Sequence, residues 1–578
     1  MGYLKPYWMK YRVKYLLAVF FLAFEALADL SQPAMMAQIV DQGVARSNLS
    51  FIEKYGLLML LITLGGAVCA SMRNILSVVV SQNFAMDLRK DLYVKIQQFS
   101  MRNIDHFGSA TLITRLTNDV TRIQTFANGL MRMMLKAPLV GIGSLIMAVN
   151  LNLKLSLILL AVVPVIALLI FLNMKLSYPL FRSVQRAIDQ VNLSVQEYLS
   201  GVRVVKVFNR SVYEKEKFQK KNQRLSHSSA AAAKVGSLFG PLINLSVNFG
   251  IVAILWFGGL GVNGGTIHIG SIIALTNYMM QILFAIMVVN NAFNLFVRAR
   301  ASAERIGEVM QSKTSLSFPE TDRNPKSREG TLAFKQVSFA YDSDYHDYFL
   351  KNIDLSIRSG ETIGITGPVA SGKTTLISLI LRFYDPNKGK VLIDGTDVTT
   401  FSEEDLRTRI ALVPQRPLLF TGTVKENIRW GNEQARDEEV FEAANIAEAD
   451  DFVRKTASGY DSLIGQGGVN FSGGQKQRLS IARALIRHPE ILILDDATSA
   501  VDAHTDRLIR KHIRHLDRGM TCLIISQRIT SIMDADRIIV MDEGKIAAIG
   551  THQQLLEESP YYRAMRDAQL GKGVAGDG

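Results

Sequence analysis

The strongest constraint on this chain is a set of six apolar stretches. They fall at 15–40, 55–80, 129–149, 153–172, 241–260 and 270–293 of the 578 residues. Crossing a bilayer core takes about 20 helical residues. No water is present there to satisfy backbone N–H and C=O groups, so a spanning segment must bond internally, as a helix or as part of a closed barrel. Uninterrupted runs of this length read as helices. The first half is therefore expected to be an all-α bundle of six membrane helices.

Charge orients that bundle. The chain carries a net charge of +13, with 65 Lys and Arg against 52 Asp and Glu. Lys5, Lys10, Arg12 and Lys14 precede the first stretch, and the connections at 82–128 and 174–240 are rich in Lys and Arg. The outer loops carry few positive charges, so the N-terminus, both long connections and the second half are expected on the cytoplasmic side. A basic face beside anionic headgroups explains the surplus better than nucleic acid does. The two cysteines, Cys69 and Cys522, sit in apolar runs and imply no disulfide framework. No histidine lies centrally in any of the six stretches, which argues against an intramembrane haem or metal.

The long connections have apolar residues at helical spacing: Leu88, Leu92, Ile96 and Phe99, then Val191, Val195, Leu199 and Val202. They read as membrane helices prolonged into two cytoplasmic hairpins. The tips carry Asp105-His106-Phe107-Gly108 and Phe208 to Glu214. Periodicity alone fits either a solvated hairpin end or a short helix docked on a second domain. In the first apolar stretch Glu25 and Asp29 stand four residues apart, on one helix face. Charge inside a membrane helix is costly, about 2.5–3.5 kcal/mol on insertion scales, so such residues face a bundle interior or water. They are candidates for a substrate pathway attracting cations, or for a wet outer mouth.

The second half alternates strands and helices, the pattern of a sheet-based α/β domain. The expected division is a membrane domain at 1–312, a polar linker at 313–331, an α/β domain at 332–568 and a flexible tail at 569–578. Within the α/β part, Gly367-Pro368-Val369-Ala370-Ser371-Gly372-Lys373-Thr374-Thr375 fits the phosphate-loop pattern between a β-like run and a helical one. Loop and helix N–H groups would cradle phosphates, Lys373 would reach the β and γ oxygens, and the Thr374 hydroxyl would hold Mg²⁺. Asp495 and Asp496 close the apolar run Ile491-Leu492-Ile493-Leu494, and a carboxylate at such a strand end can hold Mg²⁺ through water.

About twenty residues before that strand end stands Phe471-Ser472-Gly473-Gly474-Gln475. In this order and spacing it resembles the signature of the ATP-binding cassette (ABC) family. The resemblance covers nearly the whole chain. Tyr341 matches the adenine-stacking aromatic, Gln415 the glutamine-loop residue beside the metal, and Ser499-Ala500-Val501-Asp502 the D-loop. Residues 107–120 and 201–208 look like the cytoplasmic-loop patterns of ABC exporters. The resemblance implies a half-transporter: six membrane helices and one cassette, with ATP and Mg²⁺ as cofactors, working as a dimer. Two cassettes would sandwich two ATP molecules, each lying between the phosphate loop of one chain and the signature of the other. The cytoplasmic helices would dock on cassettes, the second loop on the partner's.

Three positions depart from the family pattern. The residue after the metal Asp495 is Asp496 where the family has Glu. The switch position is Gln527 where it has His. The phosphate loop has Ala370 where it usually has Gly. The carboxylate of Asp496 recedes by about 1 Å, which can cost about 10²-fold in rate. Gln527 can donate a hydrogen bond but cannot carry charge. With Ser472 to Gln475 nearly intact, this pattern is similar to the degenerate-site subunit of heterodimeric multidrug exporters. The expectation is a plasma-membrane exporter subunit whose own ATP site is slow, whose partner is a second half-transporter, and whose substrates are amphipathic or cationic drugs. A lipid or peptide exporter half and a self-sufficient homodimeric ATPase are the alternatives.

Overall fold

A computed structural model describes residues 2–319, 329–341, 347–516 and 519–570. The chain divides into two compact units: Met1–Gln97 with Ala110–Ser312, and Gln98–Ser109 with Lys313–Gly578.

The first unit is helical. Its long helices are Arg12–Gln38, Leu49–Gln97, Ser109–Leu151, Leu153–Ser200, Ser211–Asn263 and Ile269–Gln311. The last five are long and apolar enough to cross a membrane. The first, at 27 residues, is of spanning length and carries Glu25 and Asp29. Third and fourth helices meet at a minimal turn, where the Asn152 side chain accepts the Leu155 N–H at 3.0 Å and caps the fourth. The interior gathers Leu155, Leu159, Ile254, Leu275 and Tyr278, while Leu168, Phe171 and Trp256 face outward, as lipid requires. Side-chain bonds tie the first helix to the sixth. Tyr278 Oη donates to Leu30 O (2.7 Å), and Gln281 Nε2 to Asp29 O (3.1 Å).

The helices run on well past membrane length, as the periodicity predicts. The two extensions differ, however. Leu88 and Leu92 in the first are fully buried. In the second, Leu199 and the tip residues Val207, Phe208 and Val212 are exposed, the last three by 70–80%.

The tip of the first connection belongs to the second unit. Its short helix Met101–Phe107 is capped by Ser100. Tyr384 Oη donates to Asp105 Oδ2 (2.6 Å), and Arg102 donates to Tyr341 O (2.8 Å). Of the two readings of this tip, the docked helix is the observed one.

The rest of the second unit is α/β. Its strands are β1 (Leu332–Phe339), β2 (Leu350–Ile357), β3 (Thr362–Thr366), β4 (Lys388–Ile393), β5 (Thr396–Asp397), β6 (Ile410–Val413), β7 (Gly422–Thr423), β8 (Leu463–Ile464), β9 (Ile491–Asp495), β10 (Thr521–Ile525), β11 (Arg537–Asp542) and β12 (Lys545–Gly550). An antiparallel sheet runs β2-β1-β4-β5, the larger sheet runs β12-β11-β3-β10-β9-β6, and β7 pairs with β8. From β11 to β6 the larger sheet is parallel. Its strands are apolar without alternation because both faces are covered. Leu523 and Ile525 enter one core cluster, Cys522 and Ile524 the other.

Two domain expectations need correction or restriction. Gln569 does not begin a tail: it lies in the helix Pro560–Leu570 and bonds both Gln527 O and Ile529 N. In the linker, Ser317 O accepts from Arg382, whose guanidinium lies over the Phe318 ring. Residues 320–328 of that linker and 571–578 of the proposed tail lie outside the described residues.

Candidate functional site

The phosphate loop joins buried β3 to the helix Lys373–Ile380. Gly372 has φ +103°, a conformation that L side chains rarely adopt and that favours glycine. Ala370 adopts φ +67°. That left-handed conformation costs an L-residue about 1–2 kcal/mol. Lys373 Nζ donates to Gly367 O (2.9 Å), Pro368 O (2.7 Å) and Ser371 Oγ (3.2 Å), which holds the ammonium over the loop. Burial lowers its pKa, opposed by Asp495 and Asp496. Val369 is exposed at the loop's crest. Tyr341 Oη is 3.0 Å from Thr375 Oγ1. Its ring, packed edge-on by Phe339 and Tyr384, stays half-exposed beside the loop.

Asp495 ends β9. Burial raises its pKa, the neighbouring Asp496 raises it further, and Lys373 opposes both. A site that disfavours the charged form of Asp495 is one a cation would relieve. Gln415 Nε2 donates to Asp496 Oδ2 (3.3 Å), bringing the glutamine and the second carboxylate together. Asp496 itself has φ +47°, its N–H bonded to Ile525 O. Thr374 is exposed at the helix start. The Thr374 hydroxyl, the Gln415 amide oxygen and the Asp495 carboxylate are hard oxygen donors, which suits Mg²⁺ completed by phosphates and water. Among the described residues no group of three or more His, Cys, Asp and Glu forms a self-contained metal cage.

The signature segment lies at the start of the helix Gly473–Leu485. Ser472 Oγ accepts the Gln475 N–H, and Gln475 Oε1 accepts the Ser472 N–H at 2.9 Å, a reciprocal cap. The D-loop packs directly on it. A Cβ on Gly474 would come within 2.7 Å of Ala500 O. Gln477, buried, donates to Ser499 Oγ (3.0 Å) and accepts the Ala500 N–H (2.9 Å). Asp502 caps the following helix through the Thr505 N–H. Arg528 donates to Ser499 O (2.6 Å), which ties the Gln527 segment to the same loop. Gln477, Arg528 and Gln569 were not singled out from sequence, because nothing in a lone Gln or Arg says which loop it will reach.

In the membrane unit the acidic pair is not a bare anion. Glu25 is buried between Arg73 Nε (2.6 Å) and Lys136 Nζ (2.6 Å). Asp29 meets the same Lys136 at 2.8 Å. This corrects the expectation of a pair attracting cations: both carboxylates are neutralised, and Glu25 does not line the adjacent cavity, whereas Asp29 does. Arg73 stands inside the second apolar stretch and carried the same signal as Glu25. Reading acids alone missed it.

Comparison with known proteins gives this arrangement a family. The ABC transporter transmembrane region matches residues 15–287, and the ABC transporter pattern matches 350–499. The uncharacterized ABC transporter ATP-binding protein YfiB of Bacillus subtilis is 38% identical over 99% of this chain and 98% of its own length. An uncharacterized ABC transporter ATP-binding protein of Mycobacterium tuberculosis, MT1311, is 39% identical over 96% of this chain and 95% of its own. A solved bacterial Atm1-family ABC exporter with ATP bound shares the fold, with a TM-score of 0.79 at 23% identity, over 98% of this chain and 99% of that one. The chain therefore belongs to the ABC transporter family, as an integral membrane, ATP-hydrolysing half-transporter of exporter fold with a cytoplasmic nucleotide-binding domain.

Proposed function

We propose that this chain is one subunit of a heterodimeric exporter of amphipathic compounds. Its own ATP site hydrolyses slowly, and its signature completes the partner's competent site. One observation carries the reading: an ordered, doubly capped signature at Ser472–Gln475 coexists with a shortened Asp496 and a neutral Gln527. In this reading Tyr341 stacks the adenine, and residues 367–375 with Lys373 hold the phosphates. Thr374, Gln415 and Asp495 would hold Mg²⁺, which would screen phosphate charge. Asp496, held by Gln415, orients water poorly, and Gln527 donates to the γ-phosphate without a charge. Asp502 and its loop transmit closure between the two sites. The exposed second tip around Phe208 supports a partner, because contiguous exposed apolar surface marks a contact.

The test is to purify the chain alone and with its co-purifying partner. Mg·ATP should bind to the chain alone with ATPase at least about tenfold below that of the complex. Vigorous turnover by the chain alone would sink the heterodimer reading. It would favour a homodimer instead, a reading supported by the presence of phosphate loop, metal carboxylate and signature on one chain.

A further inference from the structure

The membrane unit has an open cavity of about 520 Å³ between its first, second, third and sixth helices. That is the size of a small-ligand site. Its lining is mixed: Val140, Met280 and Phe284 give it apolar surface, and Arg73, Arg132 and Lys136 bring cations. Counted along the helices from their outer ends, Lys136 and Phe284 both lie about 22 Å down and Arg132 and Val288 both about 28 Å, so cationic and apolar groups share the same depths.

The charges do not cancel. Arg73 and Lys136 are engaged by Glu25 and Asp29, while Arg132 has no carboxylate partner among the described residues. Arg132 lies in a π-helical turn, Leu130–Met134, and its carbonyl accepts from Arg73 Nη1 at 2.7 Å. Arg132 is exposed and lines the cavity. Such π-turns recur at functional sites, and an ionisable group at membrane depth faces a ligand path or a partner charge.

We infer that this cavity binds an amphipath with an anionic head, the head on Arg132 beside Lys136 and the tail along Phe284 and Met280. This rests on the exporter reading above and replaces a cationic substrate with an anionic one. Arg73, Arg132 and Lys136 line the cavity against one carboxylate, Asp29, with Glu25 buried on Arg73 and Lys136, which leaves one cation in surplus, and apolar surroundings strengthen its field. A single-tailed amphipath and an anionic phospholipid offer the same chemistry.

The test is equilibrium binding to the full chain, with whatever partner co-purifies, in phosphatidylcholine nanodiscs, with empty discs as reference. The probes are dansylated undecanoate, its trimethylammonium counterpart and its methyl ester. The carboxylate should bind at least about tenfold more tightly than the ammonium. Arg132→Gln should erase that preference while leaving the ester unchanged, and Arg132→Lys should keep most of it. Phe284→Ala should weaken all three. Displacement by a few mole per cent of phosphatidylglycerol would identify the occupant as a membrane lipid; resistance to it would identify a single-tailed amphipath. Equal or tighter ammonium binding, an unchanged carboxylate affinity in a folded Arg132→Gln, or no binding by any probe would overturn the inference. None of these readouts uses hydrolysis, so the exporter reading stands or falls separately on ATPase and transport.

Discussion

The two faces of the nucleotide-binding domain are built to different standards. On the signature face the groups around Ser472 are held by local bonds. Ser472 and Gln475 cap each other, Gln477 braces the D-loop with two bonds, and Gly474 lets Ala500 O approach closely. On the phosphate face the loop is held by Lys373, but strained backbone enters both the loop and the strand end. Ala370 and Asp496 both sit at positive φ. The carboxylate that would polarise water is short and its amide partner, Gln415, lies at 3.3 Å. The difference teaches that binding ATP and hydrolysing it place separate demands on one domain. Binding needs a loop of the right shape. Hydrolysis needs a carboxylate placed to within about 1 Å.

The comparison breaks most visibly if the faces are perturbed one at a time in the complex. Gly474→Ala should lower complex ATPase at least about tenfold, because its Cβ meets Ala500 O and shifts the D-loop as well as the face offered to the partner's nucleotide. Ser472→Ala, which leaves Ala500 untouched, should act in the same direction. Asp496→Asn should change turnover less than about twofold. Steady-state phosphate release measures all three, and a reversed ranking would exchange the roles of the two sites.

A repair experiment sharpens the same contrast. Asp496→Glu combined with Gln527→His should raise turnover by the chain alone about tenfold, with ATP affinity unchanged. If turnover stays flat in single-turnover measurements, the limit lies elsewhere in the site.

The smallest expected effect is on the loop. Ala370→Gly relieves left-handed strain of about 1–2 kcal/mol but returns about 0.5–1 kcal/mol of backbone entropy. The net gain should raise the domain's melting midpoint by about 2 °C. A fall on calorimetry would mean that the Ala370 methyl packs usefully.

Much of this molecule was written in local order. A run of apolar residues long enough for a bilayer can satisfy its backbone only as a helix, so the bundle followed from the chain itself. The phosphate loop was legible for a similar reason: Gly372 and Lys373 act within a few residues of each other, and the spacing is the geometry. The same holds for the Ser472–Gln475 cap, which closes over three residues.

What the sequence could not state are meetings between distant residues. Glu25 and Asp29 read as anions seeking a cation from outside, yet Arg73 and Lys136, 48 and 111 residues beyond Glu25, arrive to neutralise them. The tip around Asp105 read equally well as solvated or docked until Tyr384, 279 residues on, reached its carboxylate. Local pattern decides helix, strand and cap because the bonds that make them span a few residues. The charge a site presents depends on which side chains the tertiary fold brings within about 4 Å, and no local period encodes that.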